Sequence, residues 1–304
     1  MVIIVSTQKR ERYILENIIT PWYSDQKFNI SKSNIKNVNW MSLLNDSISI
    51  TNLAIPGTHN SCSNEFVDKD FLNPIYYFLG QTQSWNINEQ IISGIRYLDL
   101  RVGGDGNIYH GIAKTKNTFI EVLEIISNFL MKYKSEGFII RIKFVKKYCK
   151  NKKYNICLIY SICKVIDKYQ NFIFESKYYP TMGEIRGKMF LIIENFKYKN
   201  YMRWNNKTLT LQDYYDLNGL KRFEIEKKKN LVNEYLYKKT DKLIINHCSG
   251  VGQTAMSDIK YVSYIVNKEP YINKNYRGII ALDFPGEDLI THIINQNLKL
   301  NLTK

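Results

Sequence analysis

The sequence predicts an α/β protein whose main body is a single (β/α) barrel. Short apolar runs typical of strands alternate with segments whose apolar residues recur at helical spacing, from about residue 40 to residue 298. Several of the apolar runs lack a polar face, which favours a parallel sheet buried on both sides. Roughly six or seven strand–helix units over ~250 residues fit one barrel better than two domains. An open, doubly wound sheet is the alternative architecture.

We predict one barrel preceded by an N-terminal extension. Residues 1–38 show no clear period and form the predicted extension, and residues 39–304 form the predicted barrel. The barrel part contains an apolar and aromatic stretch at 71–79. This stretch could pack on the barrel or insert partway into a membrane, and the sequence leaves both interpretations open.

The first strand of the barrel is predicted to run from Ser47 to Ile55 and to end in a turn at Pro56 and Gly57. A Gly after a Pro lets the backbone turn sharply, so His59 and Asn60 would be presented at the end of the strand. Histidine is the usual acid or base near neutral pH. A single His after a turn is more often an exposed loop residue, so its role depends on the residues that join it.

The remaining elements are predicted from the same two patterns of apolar residues, the alternation or continuous run of a strand and the spacing of a helix. An amphipathic helix ends at Gly94, which suits the C-terminal end of a helix. A turn-rich segment then leads into a strand that ends at His110. Further strands are predicted at 95–101, 138–144, 189–193, 243–246 and 278–284. The predicted helices, including the one stopped by Gly94, are 39–44, 87–92, 118–133, 155–169, 219–238 and 289–298.

The composition favours an anionic partner and argues against a cysteine framework. The formal net charge is +15, which suits phospholipid headgroups, a phosphorylated ligand or nucleic acid. Part of this charge reflects a general excess of Lys, Asn, Ile and Tyr. The five Cys are odd in number and form no CxxC pair, so we expect reduced thiols and neither disulfides nor a zinc site.

The sequence predicts contact with a membrane surface rather than insertion across the bilayer. The apolar N-terminal residues run at once into charged ones, unlike a signal peptide. No apolar run reaches the ~20 residues that span a bilayer. We therefore expect a soluble protein without a signal peptide, in the cytoplasm or secreted without a leader. No protein partner is implied, and nucleic-acid binding lacks a known motif.

Polar side chains gather at the predicted ends of the strands. In a parallel barrel these ends meet at one mouth. Two His residues beside an Arg suit phosphoryl chemistry, because one His can take a proton from the nucleophile while the other protonates the leaving oxygen. A guanidinium pairs with the phosphate and stabilises its charge. The residues that the barrel would bring together are His59, Asp99, Arg101, His110, Lys143, Arg186 and Asp283.

Five short motifs resemble the bacterial type of phosphatidylinositol-specific phospholipase C, the X-domain family. Each motif is weak alone, but all five occur in the order of the family between about residues 40 and 298. The resemblance implies a distorted (β/α)8 barrel of the TIM type and cleavage of phosphatidylinositol, or of a glycosyl-phosphatidylinositol anchor. The motifs are Ile55–His59, Gly94–Arg101, Tyr109–Gly111, Arg186–Lys188 and Leu282–Phe284.

The resemblance also implies catalytic roles. His59 would be the general base that deprotonates the 2-hydroxyl of inositol, and Asp283 would orient it. Arg101 would hold the phosphate. His110 would be the general acid that protonates the diacylglycerol oxygen. The first product would be a cyclic inositol phosphate, which the same His pair could open with water.

A second set of positions matches residues that bind the inositol ring in the family. Lys143, Arg186 and Asp213 would hold ring hydroxyls, and Tyr215 would stack on the ring. Asp99 would form the floor of the site. From the residues alone, Lys143 could equally be a solvated strand end and Tyr215 a packing residue.

Asn60 departs from the bacterial pattern, which usually has Asp after the first His. Asn can hydrogen-bond but carries no charge, so protonation of the leaving group could be weaker. Asn at this position binds calcium in the eukaryotic enzymes. Here, however, cations occupy two calcium-ligand positions, Arg101 and Lys143, so we expect no metal and no cofactor.

An inactive binding module of the same family, which would recognise a phosphoinositide or a glycan phosphate, is the alternative function. Asn60 is the feature that favours it, whereas the intact His pair favours an enzyme. His247 and His292 lie in no motif and are interpreted as surface or packing residues.

Overall fold

The computed structural model describes residues 35–67, 80–145, 152–252, 259–268 and 275–298. Its strands are β1 Ala54–Thr58, β2 Tyr97–Gly103, β3 Asn107–His110, β4 Ala113–Thr118, β5 Phe138–Val145, β6 Ile173–Phe174, β7 Met189–Glu194, β8 Met202–Arg203, β9 Leu209–Gln212, β10 Leu243–His247 and β11 Gly278–Leu282. Its α-helices are α1 Ile87–Ser93, α2 Phe119–Lys132, α3 Lys152–Lys168, α4 Met182–Ile185, α5 Arg222–Leu236, α6 Ile259–Val266 and α7 Glu287–Asn295.

The strands form one curled, mainly parallel sheet in the order β6-β7-β5-β2-β1-β11-β10-β9. Helices separate most of the consecutive parallel strands, which confirms the predicted α/β barrel of the distorted TIM type. In the part of the chain that the structure describes, the two ends of this path, β6 and β9, are not paired with each other. Because the strands are parallel and the sheet is curled, the carboxyl ends of the strands face one curved mouth.

Burial on both sides of the sheet explains the continuous apolar runs. Every residue of β1, β10 and β11 is buried, as expected for central parallel strands. Helix α2 packs its apolar stripe on the sheet, and a capping box between Thr118 and Glu121 fixes its start. The helix brings five side chains that are at most 1% exposed into the core, namely Phe119, Val122, Leu123, Ile126 and Leu130.

The first strand lies later in the sequence than predicted. Ile50–Asn52 forms a 3-10 helix, and β1 begins at Ala54 and contains Pro56 and Gly57. The expected turn is therefore part of a strand that pairs in parallel with β11 and β2. Gly57 instead allows the Tyr97 ring to pack closely against the backbone of β1, because a Cβ atom there would lie 2.7 Å from Cδ1 of Tyr97.

The strand that ends at His110 is not a strand of the parallel barrel. Strand β3 pairs antiparallel with β4, and Val102 of β2 is its single antiparallel contact with the barrel. The sequence pattern could not distinguish a hairpin on the rim from a barrel strand, because both are short and apolar. His110 still reaches the mouth, since the hairpin folds back from the carboxyl end of β2.

The predicted boundary at residue 38 falls inside a 3-10 helix, Ile35–Leu43, that packs against the barrel. Asn37 donates a hydrogen bond to Thr291 at 2.8 Å, and the Trp40 indole donates to the carbonyl of Gly94 at 3.0 Å. Residues 1–34 of the predicted extension and the 71–79 stretch lie outside the described residues. Among the described residues, no helix has the length and apolar character needed to cross a bilayer.

Candidate active site

His59 stands at the centre of the mouth, directly after β1. Its backbone N–H donates to the carbonyl of Leu282 at 2.9 Å, and Gln83 donates to its carbonyl at 2.9 Å. Nδ1 of the ring lies 2.9 Å from Oδ1 of Asp283. Because the carboxylate can only accept, this contact places a proton on Nδ1 and leaves the lone pair on Nε2. His59 is thus oriented as a base whose reactive atom faces the mouth.

Arg101 lies beside that reactive atom. Its Nη2 is 3.1 Å from Nε2 of His59. Nε of Arg101 is buried and has no hydrogen-bond partner among the described residues. A guanidinium with an unused donor next to a base can pair with an oxyanion that binds between them.

His110 faces His59 across the mouth, with the ring centroids 6.3 Å apart and nearly perpendicular. Its Nδ1 lies 2.5 Å from the carbonyl of Gly80, so Nδ1 carries the proton and Nε2 is the exchangeable position. Burial, and then the nearby Arg101 and His59, lower the pKa of His110 to about 3. An anion bound at Arg101 would raise this pKa, because a negative charge stabilises the imidazolium.

Asn60, the residue after His59, is buried and has an unusual backbone conformation. It has a left-handed backbone with φ of 44°, and its side chain is 3% exposed. Its backbone N–H donates to Oδ2 of Asp99 at 3.3 Å. Neither atom of its side-chain amide has a partner among the described residues. The hydrogen-bonding capacity of this buried amide is therefore unused among the described residues.

A buried network of charges forms the floor of the site. Nη1 of Arg141 lies 3.3 Å from Asp99, its Nε donates to Glu194 at 2.9 Å, and its guanidinium stacks 3.8 Å from the ring centroid of Trp204. Burial alone would raise the pKa of Asp99, but Arg141 and then Arg101 outweigh it and hold the pKa well below its usual range. Asp99 is therefore a fixed anion beneath the His pair.

Lys143 lies on β5, level with Arg101 of β2 and Glu194 of β7. Its Nζ is 3.0 Å from Oε1 of Glu194, and its side chain is 31% exposed. A cavity of about 340 Å³ opens beside these residues and is lined by Arg101, Tyr109, Gly111, Lys143, Phe144, Val145 and Asn195. Lys143 thus lines an opening in the mouth next to Arg101.

Asp213 and Tyr215 belong to a loop that follows β9. Burial raises and His247 lowers the pKa of Asp213, and the net shift is downward, which keeps this group anionic. The Tyr215 side chain is 58% exposed. Lys228 of α5 anchors the loop, because its Nζ donates to the carbonyl of Tyr214 at 2.7 Å and to that of His247 at 2.6 Å.

Arg186 lies away from the mouth, and its predicted role in binding inositol is wrong. It follows α4 and precedes β7, so it lies at the amino end of the barrel strands. Its guanidinium donates to Asp46 at 2.6 Å and to the carbonyls of Met41, Leu44 and Ser135. Arg186 therefore has a structural role at the end of the barrel opposite the mouth, where it links three segments of the chain.

His247 was interpreted as a surface or packing residue, yet it lies in the site. It ends β10, is 1% exposed, and its ring centroid is 5.5 Å from that of His59. Arg141 and Glu194 were also missed. Glu194 and His247 end their strands, and that position could have singled them out, whereas Arg141 lies in the middle of β5 and only its charge within an apolar strand marks it.

His59, Asp99 and His247 could be considered as metal ligands, because one ligand atom from each lies within 4.8 Å of the others. However, Nε2 of His59 already faces the Arg101 guanidinium at 3.1 Å. Asp99 is paired with the Arg141 cation. A divalent cation would be repelled by both guanidinium groups, so this cluster suits an anionic ligand better.

Comparisons with known proteins point to one family. The 1-phosphatidylinositol phosphodiesterase of Listeria monocytogenes is 30% identical over 289 residues, which cover 88% of this chain and 87% of that protein. The protein of the same name from Staphylococcus aureus is 25% identical and covers 92% and 95%. No family model matches the chain.

The solved structures agree with the relatives found by sequence. The structure of the phosphatidylinositol-specific phospholipase C from Listeria monocytogenes superposes with a TM-score of 0.74 and 27% identity, over 86% of this chain and 98% of that chain. A structure of the Staphylococcus aureus phospholipase C, from work on its membrane binding, gives a TM-score of 0.70 at 22% identity, over 86% and 97%. The second likeness concerns the fold alone.

Proposed function

The chain belongs to the family of bacterial 1-phosphatidylinositol phosphodiesterases, the phosphatidylinositol-specific phospholipases C, and from this premise we propose that it cleaves phosphatidylinositol into diacylglycerol and an inositol phosphate. The observation that carries the proposal is the His59 ring, held at Nδ1 by Asp283 at 2.9 Å and facing Arg101 at Nε2 at 3.1 Å. This arrangement offers a base and a phosphate-binding cation at one point of the mouth.

The first step is attack within the substrate. Nε2 of His59 takes the proton of the inositol 2-hydroxyl, whose oxygen attacks the phosphorus. Asp283 stabilises the imidazolium that forms. Arg101 pairs with the non-bridging phosphate oxygens and offsets the charge that develops on them. The bound phosphate favours the imidazolium form of His110, which carries a second proton on Nε2, and the oxygen of diacylglycerol takes this proton as it leaves.

The second step opens the cyclic phosphate with the roles reversed. His110 now lacks its Nε2 proton and can take one from water, while protonated His59 returns a proton to the 2-oxygen. The hydrogen bond from Nδ1 of His110 to Gly80 keeps its Nε2 directed at the leaving-group position in both steps. The products are inositol phosphate and the starting enzyme.

Residues across the mouth would hold the inositol ring. Lys143 and Glu194, paired at 3.0 Å, offer a donor and an acceptor for ring hydroxyls. Asp213 offers a further acceptor, and Tyr215 is exposed enough to cover a face of the ring. Asp99 contributes as a buried anion that fixes Arg141 and the Asn60 backbone rather than as a ring contact.

Arg101 supplies the positive charge at the phosphate, so the proposed reaction needs no metal. The headgroup lies at a lipid surface, and the mouth must therefore approach a membrane. The net charge of +15 favours that approach to an anionic surface. Phosphatidylinositol is the proposed substrate. A glycosyl-phosphatidylinositol anchor contains the same phosphodiester bond and is the alternative substrate.

The test is incubation of the protein with phosphatidylinositol vesicles, with diacylglycerol and the phosphorus products followed over time. We expect a cyclic inositol phosphate to appear before the open phosphate. Release of both products by the wild type but not by His59→Ala supports the proposal. Tight binding to these vesicles without any product would instead favour the binding module.

A further inference from the structure

The side chain of His247 is a polar group of the site that the proposed mechanism does not use. It is 1% exposed, and neither Nδ1 nor Nε2 has a hydrogen-bond partner among the described residues. Leaving both nitrogens of a buried imidazole unpaired is costly, because the ring gives up its bonds to water without replacement. Such a group is explained if a ligand completes its hydrogen bonds.

The structure holds this ring firmly in place. Its edge meets the ring of His59 at a centroid distance of 5.5 Å and the ring of Trp204 at 5.9 Å. Its own carbonyl accepts from Lys228 at 2.6 Å and from Gln212 at 2.8 Å. Both the backbone and the ring are thus held in place, and one ring nitrogen lies within 4.8 Å of a ligand atom of His59 and of Asp99, beside the proposed base.

The ring is neutral, so it offers one donor and one acceptor. Burial lowers the pKa of His247 to about 3, and Arg141 and His59 add to the shift while Asp213 opposes it. A neutral imidazole with one N–H and one lone pair suits a hydroxyl group, which also both donates and accepts. It suits a phosphate less well than the guanidinium of Arg101 does.

The order of the strands decides which hydroxyl is involved. Strand β2, with Arg101, lies on one side of β1, and β11 and β10, with His247, lie on the other. His59 follows β1 between them. When the 2-hydroxyl of inositol faces His59 and the 1-phosphate faces Arg101, the other neighbour of the 2-hydroxyl points towards β10. That neighbour is the 3-hydroxyl.

We propose that His247 binds the 3-hydroxyl of the inositol ring and thereby selects substrates in which this hydroxyl is free. The inference rests on the proposed function, because it takes the position of the ring from the roles of His59 and Arg101. It adds a substrate-binding residue from β10, a strand to which the sequence motifs assign none.

The variant that tests the proposal is His247→Phe, which keeps an aromatic ring for packing against Trp204 and removes both hydrogen-bonding atoms. We expect kcat/KM on phosphatidylinositol to fall about tenfold, as for loss of one good hydrogen bond. We also expect Tm to stay the same or rise by about 2 °C, since a buried unpaired polar ring has been removed. His292→Phe, on α7 and stacked on Tyr276, is the control outside the site and should leave kcat/KM unchanged.

A double-mutant cycle with the substrate separates a contact from a structural effect. Wild type should lose about tenfold in kcat/KM on 3-deoxy-phosphatidylinositol. His247→Phe should lose no more on this analogue than it already loses on phosphatidylinositol, because the contact is missing from both. His247→Gln, which keeps a donor and an acceptor, should recover part of the loss. Independent losses that multiply to about a hundredfold would overturn the proposal, as would full activity of His247→Phe.

Binding of soluble headgroup distinguishes this inference from the proposed function. Calorimetry with myo-inositol 1-phosphate and its 3-deoxy analogue requires no turnover. If wild type prefers the 3-hydroxyl and His247→Phe does not, the inference holds even if phosphatidylinositol is not cleaved. If both proteins bind the two headgroups equally, the inference is wrong, whatever the result with phosphatidylinositol.

Discussion

Arg141 offers a way to disturb the floor of the site without touching a proposed catalytic group. It is 2% exposed and lies between Asp99 at 3.3 Å and Glu194 at 2.9 Å. The change Arg141→Met keeps most of the side-chain length and removes the charge. Asp99, which is fully buried, would then lose its main compensating cation. We expect this variant to lose activity as well as stability.

The size of the effect follows from breaking a buried ion pair. Removing one partner leaves an uncompensated buried charge and costs about 3–5 kcal/mol. A domain with the usual ~5–15 kcal/mol of stability should remain folded at low temperature. Asp99 accepts from the backbone N–H of Asn60 at 3.3 Å, so its protonation or movement would shift Asn60 beside the His pair. We expect kcat/KM to fall about a hundredfold, as for misplacement of catalytic groups by about 1 Å.

Arg96→Met is a matched control for this variant. Arg96 and Glu136 form a fully buried pair at 2.8 Å that lies at the amino ends of β2 and β5, opposite the mouth. Its loss should cost a similar ~3–5 kcal/mol but leave kcat/KM within about threefold at temperatures where the protein is folded. Urea unfolding and vesicle cleavage at 15 °C measure the two quantities. Equal loss of activity in both variants, or less than 1 kcal/mol lost in Arg141→Met, would refute the reasoning.

Three further predictions concern Asn60, metal and acid. Asn60→Asp should raise the rate of phosphatidylinositol cleavage or leave it unchanged, because a carboxylate would favour the protonated form of His110; a large loss of rate in a folded variant would give the Asn60 amide a role of its own. Activity should persist in excess chelator and should not respond to calcium, since Arg101 supplies the charge at the phosphate; loss in chelator that calcium restores would contradict this. His247 is buried with a pKa of about 3, below its unfolded value, so its contribution is complete above ~pH 6.5 and is lost as the pH falls. Urea unfolding should therefore show about 2 kcal/mol more destabilisation between pH 7 and pH 5 in wild type than in His247→Phe, and equal slopes in the two proteins would contradict this.

The fold could be predicted because its parallel strands are buried on both sides. A strand such as Leu243–His247 must be apolar throughout, and this pattern is visible in the sequence without knowledge of its partners. The first strand was placed too early because Pro56 and Gly57 are usually turn residues. The requirement for Gly57 comes from the Tyr97 ring, which is distant in sequence and close in space. Local propensity contains no information about such a contact.

The sequence predicts the part of the site whose residues belong to a motif and lie at the carboxyl end of a strand. His59, Arg101 and Asp283 lie together because β2, β1 and β11 are neighbours in the sheet. The prediction for Arg186 is wrong because this residue directly precedes β7 and so lies at the amino end of the strand, away from the mouth. His247 was missed because a single His that ends an apolar strand usually contributes only to packing. Its unpaired nitrogens become evident only in three dimensions.

The roles of the two His residues can be tested most directly by changing the leaving group. Phosphatidylinositol releases an alkoxide that needs a proton, whereas 4-nitrophenyl inositol 1-phosphate releases a stable phenolate that does not. We expect His59→Ala to lose about 10²–10⁴-fold on both substrates. His110→Ala should lose as much on phosphatidylinositol but regain most of its rate on the nitrophenyl ester. Equal defects of His110→Ala on the two substrates, or rescue of His59→Ala by the nitrophenyl ester, would contradict the assignment of base and acid.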